Sequence, residues 1–98
     1  MLEVLSLYIP DLVEADELGA IARALKAADP AIPFTILAFF PEYKMKSFRS
    51  PTAKEMVNAY QKAKAAGLKN IRLGNLGVFI RTEEDQKYLL SNVDSNAF

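Results

Sequence analysis

The hydrophobic pattern of the chain centres on Ile32 to Met45 (IPFTILAFFPEYKM), where an unbroken apolar run stops at Pro41 in a polar, basic loop. Branched and aromatic residues fall on both alternating faces of the run, the pattern of a strand covered from both sides. It predicts the middle strand of a sheet. Earlier in the chain, Leu2 to Ile9 places Leu2, Val4 and Tyr8 on one alternating face and Leu5, Leu7 and Ile9 on the other. That pattern predicts a second covered strand, which Pro10 terminates. Leu18, Ile21, Ala22 and Leu25 then recur along one helical stripe, with Glu17, Arg23 and Lys26 off it. The stripe predicts an amphipathic helix from Glu14 to Ala28, opened by acidic residues and closed by Asp29-Pro30. Strand, helix and strand joined by short links form a βαβ unit, which implies parallel strands and a right-handed crossover.

After the basic loop, Ser50-Pro51 reads as an N-cap with proline at the first helical position. The helix it opens has Met56, Val57, Tyr60 and Ala63 on its buried stripe, Lys54, Lys62 and Lys64 on its wet face, and Gly67 as terminator. Asn70 to Leu73 predicts a short third strand, broken by Gly74-Asn75-Leu76-Gly77. Val78-Phe79-Ile80 reads as an apolar extended piece, and Thr82 with Asp85 resembles a capping box for a last helix to about Leu90. The expected architecture is α/β, with three parallel strands in βαβαβα order. It forms a single unit over residues 1–91, followed by a tail over 92–98 polar enough to fray.

Composition narrows the chemistry. A chain of 98 residues, 51% of them hydrophobic, is long enough for one small core. Twelve basic and twelve acidic side chains cancel, which argues against the basic field that nucleic-acid binding requires. Cysteine and histidine are both absent, so thiolate, iron–sulphur and imidazole chemistry have no ligands in these residues. No apolar stretch approaches the roughly 18 residues of a membrane span and no leader precedes the first strand, so a cytoplasmic location is expected. A strand beginning directly after Met1 suggests a unit cut from a larger one.

Parallel strands with helical crossovers bring three loops to one edge: Pro10-Asp11, Pro41 to Ser50, and Gly74 to Gly77. Ligands bind at this carboxyl edge in open α/β sheets and βα barrels. Gly74 to Gly77 reads either as a close backbone approach to a ligand or as a plain turn. Lys44, Lys46 and Arg49 read either as contacts to an anionic group or as a solvated loop, and Tyr43 as a stacking ring or one packed back on the strand. Asp11, Glu14 and Asp16 are most simply an acidic helix start. Phe34, Phe39 and Phe40 are core candidates.

The stretch IPFTILAFFPEYKM, followed at helix-plus-strand distance by GLKNIRLGNLG, resembles the C-terminal part of radical S-adenosylmethionine enzymes of the pyruvate formate-lyase activating enzyme type. The segment Leu2 to Asp11, ending Tyr8-Ile9-Pro10, looks like the preceding family strand, so the resemblance covers residues 2–80. It implies the last three strands of a partial βα (TIM-like) barrel. In such enzymes an N-terminal three-cysteine motif holds a [4Fe–4S] cluster that cleaves S-adenosylmethionine to a 5′-deoxyadenosyl radical. By the resemblance, Leu73, Gly74 and Asn75 line the adenosine site, and Pro10, Tyr43 and Lys44 face the substrate. The expected partner is a missing N-terminal half, which carries the cysteines, or a second copy of the chain. Asp11 stands where the family often has glycine, and Thr35 and Phe40 where related sequences often carry histidine. Alone, the chain is expected to be inert and to contribute only the adenosine and substrate side of the barrel. The alternative is a non-catalytic module that self-associates or docks on a partner protein.

Overall fold

A computed structural model describes residues 3–10, 12–39, 50–93 and 97. Strands β1 (Val4–Tyr8), β2 (Phe34–Ala38) and β3 (Ile71–Gly74) form one parallel sheet in the order β1-β2-β3. The apolar run therefore supplies the middle strand, as its pattern predicts. Val4, Phe34 and Ile71 share one row of the register, and Leu7, Leu37 and Gly74 another. Helices α1 (Ala15–Ala28) and α2 (Ala53–Ala65) are the crossovers, and a single turn, α3 (Leu76–Phe79), and α4 (Glu83–Asn92) follow β3.

The two faces of the sheet differ. Phe34, Ile36 and Ala38 are fully buried, together with Ile71 and Leu73, and join Leu18 and Ala22 of α1 and Met56, Val57, Ala59, Tyr60 and Ala63 of α2 in one core. Thr35 and Leu37, pointing the other way, are only half-buried, and Leu5 and Leu7 on the same face are 60% and 42% exposed. Both strands were expected to be covered on both sides. The alternation of β2 and the exposure of Leu5 and Leu7 correct this, because the described helices bury one face only.

Local chemistry fixes the helix boundaries. At the start of α2 the cap is Thr52 rather than Ser50: its hydroxyl accepts from Glu55 N–H at 3.2 Å, and Glu55 Oε1 accepts from Thr52 N–H at 2.9 Å. Only Thr52 has a carboxylate three residues on, and that reciprocity decides the start. Pro51 and Met56 then occupy the staple positions either side of the cap, and both are fully buried. At the other end Gly67, at φ 109°, donates to the Lys64 carbonyl and closes the helix as anticipated. Val78 and Phe79, expected to be extended, lie in the helical turn α3, and only Ile80 after it has extended dihedrals. Asn75 adopts the left-handed conformation (φ 58°, ψ 47°), and the Val78 and Ile80 amides turn back onto the Asn75 and Leu76 carbonyls, both at 2.9 Å. A three-residue apolar run has no periodicity to separate strand from helix, and the Asn75 reversal chooses.

Thr82 caps α4 by accepting from Asp85 N–H, while Asp85 Oδ2 reaches the Arg81 amide at 3.1 Å. The helix runs to Asn92, and Val93 and Ala97 are buried in the core. At the amino edge of the sheet Asp29 holds Ala31, Lys69 donates to the Pro30 carbonyl, and Asn70 Nδ2 donates to the Ala31 carbonyl. Those bonds lock the two links that feed β2 and β3.

Candidate functional site

At the carboxyl edge the three strand ends are held by different devices. After β1, Ile9 and Val13 exchange both main-chain hydrogen bonds at 2.8 Å, closing a tight turn over fully buried Pro10. After β2, Phe39 remains buried and donates to the Tyr8 carbonyl at 3.1 Å. After β3, Asn75 sends its side-chain amide back to the Ala38 carbonyl at 3.0 Å. Asparagine tolerates the left-handed conformation, and its amide satisfies a carbonyl that the end of the ladder would leave open. Pro10, Phe39 and Asn75 thus follow the ends of adjacent strands, the place where the parallel topology predicts ligand binding.

The three positions assigned to adenosine by the resemblance lie in different environments. Leu73 points into the helical core and is 4% exposed, so only its main chain can face a ligand. Gly74 lies on the open face, where an added Cβ would run into Cδ2 of Leu37. The absent side chain leaves room for Leu37 to lie across β3. Asn75 is exposed, and its side-chain amide is engaged with Ala38. Of the substrate-side residues, Pro10 forms part of the floor of this edge. Tyr43 and Lys44 lie outside the described residues, as do Asp11, Phe40, Lys46 and Arg49.

The acidic start of α1 has a partner that sequence spacing does not show. Asp16 pairs with Lys62 of α2 across the helix interface. The hydrogen bond from Lys62, and then its charge, hold the Asp16 carboxyl below the usual carboxylate range against a smaller opposing effect of desolvation, with Arg23 adding to the lowering. A long-range pair of this kind is structural, consistent with reading those acids as a helix start. Among the described residues no three histidine, cysteine, aspartate or glutamate side chains cluster as a metal site. With no cysteine anywhere in the chain, its own residues do not fit a three-cysteine [4Fe–4S] cluster. No described helix is long and apolar enough to cross a membrane.

A groove of about 460 Å³ lies between α2 and the end of α4, lined by Tyr60, Lys64, Leu90 and Val93 among others. It sits by the C-terminal end of α2, towards the amino edge of the sheet and away from the strand ends described above. Lys64 Nζ stands 5.7 Å from the centre of the Tyr60 ring, a cation–π contact within one helix. No family model matches the chain, and neither a curated protein nor a solved structure matches it.

Proposed function

We propose that this chain is the closing segment of a partial βα barrel of the radical S-adenosylmethionine type, supplying part of the adenosine and substrate side and inert without the half that carries the cysteines. The observation that carries this reading is the sheet itself. Three parallel strands are covered by helices on one face, while the other face presents Leu5, Leu7 and Leu37. Parallel sheets occur almost only with both faces covered, or closed into a barrel. A barrel segment meets that requirement once the remaining strands are present.

On this reading the main chain of Leu73 and Gly74 and the exposed Asn75 meet the adenosine moiety, and Pro10 borders the substrate. S-adenosylmethionine would supply the radical precursor, and the cluster would belong wholly to the other half. The test is the reading frame upstream of Met1 together with ligand binding. A three-cysteine segment in frame or in a neighbouring gene is expected, as are S-adenosylmethionine-induced amide shifts at Gly74 and Asn75 when the two halves are combined. Absence of any such segment removes the proposal.

The exposure of Leu5 and Leu7 favours a second reading, a non-catalytic module that self-associates or docks on a partner through the uncovered part of its sheet.

A further inference from the structure

We draw no further inference here: the strongest candidate, the face of the sheet that displays Leu5, Leu7, Leu37 and Arg72, carries nothing, because among the described residues nothing in the structure shows what covers it.

Discussion

Leu37 of β2 occupies the space above Gly74 of β3 that any larger residue would need for its Cβ. The glycine in the loop-like sequence Leu-Gly-Asn-Leu-Gly is thus tied to a cross-strand neighbour on the open face of the sheet. Gly74 does not have a positive φ, so the constraint there comes from packing rather than from the backbone.

Substituting Gly74→Ala should force Leu37 into another rotamer, at a cost of about 1 kcal/mol in urea unfolding. In a Leu37→Ala background the same change should be close to neutral, because the obstructing atom is gone. Equal costs in both backgrounds would mean that the glycine serves something other than Leu37.

Asn75 combines a left-handed backbone with a hydrogen bond to the Ala38 carbonyl, and two substitutions separate these. Asn75→Gly keeps the conformation and loses the bond, which should cost about 1 kcal/mol. Asn75→Ala loses the bond and strains the backbone, which should add about 1 kcal/mol more. If the two variants unfold at the same denaturant concentration, the left-handed conformation contributes nothing.

Removing the Thr52 hydroxyl by Thr52→Ala should destabilise the chain by about 1 kcal/mol, whereas Thr52→Ser, which keeps the accepting oxygen, should cost much less. Chemical denaturation of the two variants side by side checks the assignment. Equal losses in both would mean that the hydroxyl does not cap the helix.

The Asp16–Lys62 pair makes a prediction in pH. The Asp16 carboxyl lies lower in the folded chain than in the unfolded one, so the unfolded state binds the proton first as pH falls. The stabilisation is present above the unfolded value of about 3.9 and is lost as pH falls through the lower folded value. Both partners are substantially exposed, so the effect is small and screened by salt. Asp16→Asn should be less stable than the parent at neutral pH and converge with it in acid. Melting curves at low and high salt across that range provide the check.

Much of the fold is legible in local patterns. The stripe Leu18, Ile21, Ala22, Leu25 marks α1, Gly67 marks the exit from α2, and the apolar run marks the central strand; each signal is a periodicity or a conformational restriction carried by neighbouring residues. The candidate edge was also legible, because parallel topology alone brings Pro10 and Asn75 to it. The role of Gly74 was not legible. Leu37 is far from it in sequence, and the contact exists only through the β2–β3 register.

The sequence by itself determined the order of the three strands and of helices α1, α2 and α4, the parallel direction of the strands and the absence of thiolate and imidazole side chains. Tertiary structure decided what no local pattern encodes: that Leu5 and Leu7 of β1 lie on the face that the described helices leave exposed, that Asn75 reaches Ala38, and that Asp16 meets Lys62. The reason is physical. Apolar alternation reports that a side chain prefers to leave water, but only the arrangement of the other elements determines whether anything is there to receive it.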